Sequence, residues 1–177
     1  MKNPGIPEII ALKNVRRISM LTCYDFSAAK ILSRTGLDLI LVGDSLGMSF
    51  QGYPDTLAVT LEQMIYHTRA VKKGAPEKLV ILDMPFMSYQ VSKRQALKNS
   101  GHALKESGCD AVKIEGGARS ADKIKAIADQ DIPVCAHIGM TPQSYKKFGG
   151  FRIQRAEEKI LDDAMAVEQA GAFCCII

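Results

Sequence analysis

Six short, almost unbroken apolar runs alternate along the chain with longer stretches in which apolar positions recur every three or four residues. The short runs, at about 18–22, 38–43, 79–83, 110–115, 132–137 and 172–177, predict strands buried on both faces, as in a parallel sheet covered by helices. The longer stretches predict helices at about 25–35, 60–73, 92–107, 120–129 and 156–170. Asp25, Thr60 and Ser92 stand where a side-chain oxygen can accept from the free N–H groups of a first turn, and Gly36, Gly74, Gly108 and Gly171 follow the last turns. Strand and helix in regular alternation are the pattern of βα units around a parallel sheet, so the fold class is α/β.

Six strands and five helices suit either a doubly wound open sheet or an incomplete (β/α)8 TIM barrel, since a closed barrel needs eight units and typically about 250 residues. A last strand at 172–177 would leave an apolar edge exposed, a liability natural sheets avoid. The expectation is therefore one TIM-barrel domain over 1–177, C-terminally truncated to about six strands and five helices. Two connections are long, 44–59 and 138–155, and both follow a strand. Loops of that length at the C-terminal ends of parallel strands are where a pocket is expected.

Composition narrows the partners. The chain has 177 residues and a formal charge of +4, from 23 basic and 19 acidic side chains. The excess is scattered over Arg16-Arg17, Lys72-Lys73 and Lys146-Lys147 with acids between, which argues against nucleic acid. No apolar run approaches the roughly 18 residues that cross a bilayer. Pro4, Gly5, Pro7 and Glu8 interrupt the N-terminal segment where a signal peptide has its apolar centre. A cytoplasmic protein without a membrane partner is expected. Cys23, Cys109, Cys135, Cys174 and Cys175 are odd in number and lack CxxC spacing, so buried reduced thiols are expected rather than disulfides or zinc.

The candidate chemistry sits at strand ends. Asp44 ends the second predicted strand, Asp83 the third and Glu115 the fourth. Neighbouring parallel strands lie about 4.8 Å apart, so three acids at one end can face one site. Together in a low-dielectric mouth they call for a hard divalent cation such as Mg²⁺; read singly, each is a helix cap or a solvated charge. Lys113, two residues before Glu115, faces the same side along with Ala111, while Val112 and Ile114 face the other. It either grips a substrate carboxylate, forms a Schiff base, or is a plain ion-pair partner. His137 closes the fifth strand as an acid near the pocket or a structural hydrogen-bonder. Ser45 offers a hydroxyl and N–H to a carboxylate or simply turns the chain, and Tyr24 walls the pocket or packs. His67 and His102 fall within helices as bystanders. The Gly116-Gly117 and Gly149-Gly150 pairs match no phosphate loop.

The strings LTCYDFSAA, VGDSLGM, DMPFMSY, VKIEGG and AHIGMTPQS, in this order and spacing, resemble the ketopantoate hydroxymethyltransferase family from about residue 15 onward. The resemblance implies a (β/α)8 barrel of the phosphoenolpyruvate/pyruvate type, assembled as a homodecamer and acting in pantothenate and coenzyme A biosynthesis. It implies transfer of a one-carbon unit from 5,10-methylenetetrahydrofolate to 3-methyl-2-oxobutanoate, giving 2-dehydropantoate and tetrahydrofolate. Carried over by motif, Asp44 and Asp83 are ligands of one Mg²⁺ per subunit, and Glu115 is the third acid, directly or through water. Ser45, Asp44 and Lys113 match positions that bind the oxo acid, with His137 near it. The family's catalytic base is a glutamate just beyond the sixth strand. A chain ending at Ile177 is therefore expected to hold metal and oxo acid but to turn over feebly, with His137 as its one candidate catalytic residue. Two further readings stay open: an Mg²⁺-dependent lyase or mutase of the same barrel superfamily, and a non-catalytic truncated assembly partner. Against the lyase stands the absence of a cysteine on a mobile basic loop after the strands.

Overall fold

The computed structural model describes residues 5–177, so Pro4, one of the expected N-terminal breaks, lies outside the described residues. The strands are β1 (Met20–Thr22), β2 (Leu39–Val42), β3 (Leu79–Asp83), β4 (Ala111–Glu115), β5 (Val134–His137) and β6 (Cys174–Ile176). The helices are α1 (Ile6–Ala11), α2 (Phe26–Leu32), α3 (Leu46–Ser49), α4 (Leu61–Gly74), α5 (Lys93–Ser107), α6 (Ala121–Ala128), α7 (Tyr145–Phe148) and α8 (Glu157–Gln169). The five long predicted helices are α2, α4, α5, α6 and α8. The expected helix count omits α1, α3 and α7, which at six, four and four residues are too short to show a period. No helix among the described residues is long and apolar enough to cross a membrane.

All five strand pairs are parallel, in the order β1-β2-β3-β4-β5-β6. That order decides between the two architectures. A doubly wound sheet reverses at a switch point and puts its first strand inside, whereas here each strand lies beside its predecessor, as around a barrel wall. The sheet is also curled, since β1 and β6 face each other across a cavity of about 340 Å³ lined by Met20, Thr22, Cys174 and Ile176. The doubly wound alternative is overturned.

Alternation along each strand sorts the core into two layers. Leu39, Leu79, Ile81, Ala111 and Cys135 point inward and pack with Ile9 of α1, which closes one end of the interior. Ile40, Val42, Val80, Leu82, Val112, Ile114, Val134 and Ala136 point outward under the helices. Ala111 thus parts from Val112 and Ile114 as the period of two requires.

The three predicted caps form: Asp25 accepts from the Ala28 N–H at 2.9 Å, Thr60 from Gln63 in a full capping box, and Ser92 from Gln95 at 3.1 Å. Gly108 and Gly171 terminate helices at positive φ, 73° and 95°. Gly36 and Gly74 do not act as expected. Helix α2 already ends at Leu32, and Gly74 is the last residue of α4 itself. A Cβ at Gly74 would run into the Phe26 carbonyl and stand 2.8 Å from Ala29 Cβ, so this glycine permits the close crossing of α2 and α4. All five cysteines are free, with Cys23, Cys109 and Cys135 buried. Cys174 is half-buried and Cys175 exposed, against expectation, because β6 is an edge strand of the described sheet.

Away from the strand ends that carry the acids, Asp38 accepts from Arg16, at 2.8 and 2.5 Å, and from the Ser19 N–H at 2.9 Å. The Arg16 guanidinium holds this carboxyl below the usual range despite burial, with Ser19 assisting. Its stabilising contribution is therefore complete above the unfolded value of about 3.9 and lost as pH falls from there through the folded value. At pH 7, Asp38→Asn is expected to lower stability by about 1–2 kcal/mol, after discounting the half-exposed arginine. In urea titrations the gap from the parent should close as pH falls below about 4; equal midpoints at pH 7 would remove Asp38 from the account.

Candidate active site

Strand register builds the centre of the site. Asp83 lies beside Lys113, and Glu115 beside His137, on adjoining strands. All but His137, which is slightly exposed, are buried. The Lys113 ammonium sits 2.9 Å from Asp83 Oδ1, 3.5 Å from Glu115 Oε1 and 3.2 Å from His137 Nδ1. His137 Nδ1 is also 3.3 Å from Glu115 Oε1. When neutral at Nδ1 it accepts from the ammonium, and when protonated there it is an ion-pair partner of Glu115. The ion pairs to Asp83 Oδ1 and Glu115 Oε1 lack hydrogen-bond angles, so both oxygens are buried without a hydrogen-bond donor.

Asp44 follows β2 and donates its backbone N–H to Asp83 Oδ2 at 3.1 Å. Gly43 makes room for this turn: a Cβ there would lie 2.8 Å from Ser45 Oγ. The Ser45 hydroxyl bonds the Tyr24 hydroxyl at 2.9 Å, so these two predicted residues meet. His67, expected to be a bystander, is buried on α4 with Nδ1 2.7 Å from the Tyr24 carbonyl, and so positions the residue that holds Ser45. His102 is exposed, as a bystander should be.

Sequence reasoning missed the residue that ties the acids together. Gln143, in the turn Pro142–Ser144 after β5, donates its N–H to Glu115 Oε2 at 3.0 Å and its amide to Asp44 Oδ2 and the Met84 carbonyl, both at 2.9 Å. Its own amide oxygen accepts from Tyr89 at 2.8 Å and Gln90 at 2.9 Å. Tyr89 is buried and its hydroxyl lies 3.2 Å from both the N and O of Glu115. The usable signals were the length of the loop after β5 and the strings DMPFMSY and AHIGMTPQS, in which Tyr89 and Gln143 stand.

The electrostatics follow from three buried acids around one base. Burial pushes Asp44 and Asp83 up, Asp83 well above the ordinary range, with Lys113 opposing. Burial acts the same way on Glu115, but His137 and Lys113 outweigh it and hold that carboxyl low. Burial alone would lower the Lys113 ammonium; Asp83, Glu115 and Asp44 more than offset this and hold it charged. Among the described residues no three His, Cys, Asp or Glu side chains are grouped closely enough to hold a metal ion. The acids surround the ammonium instead of converging on one empty point, since three like charges approach only around a counter-ion. The donor set still suits a hard cation held by two carboxylates: Asp44 and Asp83 offer only oxygen, and Asp83 Oδ1 has no hydrogen-bond donor.

The ketopantoate hydroxymethyltransferase family model matches residues 5–177. The chain belongs to that family. Among ketopantoate hydroxymethyltransferase relatives, 3-methyl-2-oxobutanoate hydroxymethyltransferase of Clostridium beijerinckii is 52% identical, aligned over 100% of this chain and 66% of its own length. The enzyme of the same name from Geobacter metallireducens is 50% identical over 91% of this chain and 62% of its own. The chain thus spans roughly three-fifths to two-thirds of the length of these relatives. By fold it resembles 2,3-dimethylmalate lyase, a PEP mutase/isocitrate lyase superfamily member, at TM-score 0.69 and 18% identity, over 99% of this chain and 62% of the other. Phosphonopyruvate hydrolase, solved with oxalate and Mg²⁺, matches at TM-score 0.70 and 15% identity over 96% and 61%. These two likenesses carry the fold alone.

Proposed function

We propose that this site transfers a hydroxymethyl group from 5,10-methylenetetrahydrofolate to 3-methyl-2-oxobutanoate, giving 2-dehydropantoate. The observation that carries the reading is the grouping of Asp44, Asp83, Glu115 and Lys113 at adjoining strand ends, with Asp83 Oδ1 and Glu115 Oε1 unsatisfied. Family membership and relatives about half identical to the chain support it. The six strands are read as part of a (β/α)8 barrel, in which two more would join β6 to β1, and the protein as a cytoplasmic homo-oligomer.

Asp44 and Asp83 would hold Mg²⁺, with Glu115 reaching it through water. The cation supplies a Lewis acid that polarises the oxo-acid carbonyl and makes the neighbouring C–H more acidic. Lys113 opposes the burial that raises the buried acids and presents its ammonium to the substrate carboxylate. The Ser45 hydroxyl, fixed by Tyr24, orients that carboxylate, while Gln143 fixes Asp44 and Glu115 relative to each other. His137 accepts from Lys113 at Nδ1 or holds a proton there beside Glu115. In the family pattern the acceptor of the C3 proton lies beyond the sixth strand.

Calorimetric titration of 3-methyl-2-oxobutanoate into the protein tests the reading. Mg²⁺ is expected to tighten binding at least about tenfold, an extra 1.4 kcal/mol, and phosphoenolpyruvate and 2,3-dimethylmalate should bind more weakly. Mass spectrometry of reactions containing the folate donor should find 2-dehydropantoate. Binding indifferent to Mg²⁺, or preference for a lyase or mutase substrate, would overturn it.

A further inference from the structure

Adjoining the acid cluster is a cavity of about 530 Å³ that shares Glu115, Tyr89 and Gln143 with it. Its size falls in the range of small-molecule sites, roughly 300–1,000 Å³. The remaining walls are of two kinds. Leu57, from the loop before α4, and Phe86, from the loop after β3, are apolar; Arg119 and Lys123 follow β4, and Lys146 and Lys147 follow β5. Because the strands stand in chain order, so do their loops around the rim, and the cavity grades from an apolar side to a cationic one. The carboxylate among its lining residues, Glu115, is already engaged by Lys113, His137 and Gln143.

Of these four cations Lys123 stands in an ion pair, a weak one because its partner Asp122 is half-exposed. Arg119 donates to Ser144 at 2.9 Å, which aims it without neutralising it, and Lys123 lies 3.0 Å from the half-exposed Asp122. Lys146 and Lys147 are exposed, on the single turn α7. An occupant that satisfies both sides has a flat, largely apolar ring system at one end and several negative charges at the other. Inorganic anions satisfy only the second half.

We propose that this cavity seats the one-carbon donor, with its ring system against Leu57 and Phe86 and the carboxylates of its glutamyl tail on Arg119, Lys123, Lys146 and Lys147, so that donors with longer tails bind more tightly. The proposal rests on the hydroxymethyl-transfer reading and adds to it the donor's place and its preferred form. The shared wall then puts donor and oxo acid on either side of Glu115, Tyr89 and Gln143.

The probe is 5-formyltetrahydrofolate, a non-reacting donor analogue, with one or three glutamates, titrated into the full chain with Mg²⁺ at low salt. The triglutamate is expected to bind about tenfold or more tightly than the monoglutamate. The advantage should fall below about threefold in Lys146→Gln/Lys147→Gln and in 0.5 M salt. Both substituted side chains are exposed, and an unchanged melting temperature controls for folding. Equal affinity for the two tail lengths, an advantage that survives in the double variant, or displacement of the triglutamate by equimolar inorganic phosphate would overturn the proposal. Titration of 3-methyl-2-oxobutanoate into the same samples separates the two claims. Normal oxo-acid binding without a tail effect removes only the donor site, whereas no Mg²⁺-dependent oxo-acid binding removes the functional reading beneath it.

Discussion

Replacing Lys113 with methionine is expected to lower stability at pH 7 by about 3–5 kcal/mol, the usual loss when one partner of a buried ion pair is removed. The side chain is 3% exposed and its ammonium lies among Asp83, Glu115 and Asp44, so methionine would fill the space and leave three acids with no buried cation. Burial already pushes Asp44 and Asp83 up against the pull of Lys113, and without that pull both rise further. The folded variant then binds more protons than the unfolded chain, so its stability should increase as pH is lowered from 7 toward the ordinary carboxylate range of about 4. Urea titrations at pH 7 and 5 read this directly. Adding Asp83→Asn to Lys113→Met should restore part of the loss, a coupling that a double-mutant cycle resolves. A loss under about 1 kcal/mol, or no recovery at lower pH, would mean the acids are solvated rather than held by Lys113.

Such an arrangement is partly visible in the letters. Because a parallel strand presents alternate residues to opposite layers, Lys113 and Glu115 had to face the same way, and they do. Asp83 and His137 join them because β3, β4 and β5 follow one another in the sheet as in the chain. The long helices announce themselves by period and cap: Thr60 caps α4 as its hydroxyl predicts, and the structure adds the reciprocal bond from the Thr60 N–H to Gln63. What could not be read was short or tertiary. Helix α1 shows no period in its six residues, and only packing against Leu39, Leu79, Ile81, Ala111 and Cys135 gives Ile9 its place. Gly74 looks like a helix stop, yet its role is contact with α2, a segment some forty-five residues away.

The site shows the same division more sharply. Acids announce chemistry because burying charge needs a reason, so Asp44, Asp83 and Glu115 could be singled out on charge and position. Gln143 could not. It is uncharged, lies within a long loop, and matters only because that loop folds back 99 residues to reach Asp44 Oδ2. The same holds for Tyr89, whose hydroxyl serves the Glu115 backbone from 26 residues away. The place of His67 is not legible in the sequence because its burial and its bond to the Tyr24 carbonyl arise where α4 meets the loop after β1, a contact no local pattern records. The scattered charge of Lys146-Lys147 likewise acquires meaning only beside Arg119 and Lys123 around one cavity.

Asp83→Asn is expected to move two measurements in opposite directions, which a purely structural residue would not do. Asparagine keeps an oxygen to accept from the Asp44 N–H, so the turn after β2 should survive. It removes the charge that burial most disfavours here: the Asp83 carboxyl lies well above its ordinary range because it is buried beside Asp44 and Glu115, Lys113 notwithstanding. A carboxyl raised in this way costs the fold stability increasingly from about pH 4 up to its folded value, and Lys113 keeps Glu115 and Asp44 as partners in the variant, so without Mg²⁺ the variant should be more stable at pH 8. That gain should vanish as pH falls through the folded value toward about 4, where both states bind the proton. Oxo-acid binding with Mg²⁺ should fall at least about 100-fold, since losing even an outer-sphere partner of a metal ligand costs 10–100-fold. Calorimetry for the second quantity and thermal or urea unfolding for the first give independent answers. Lower stability together with weaker binding would make Asp83 a structural partner of Lys113 only. Unchanged binding would remove it as a cation ligand, and a gain in stability paired with lost binding is what a carboxylate kept for chemistry predicts.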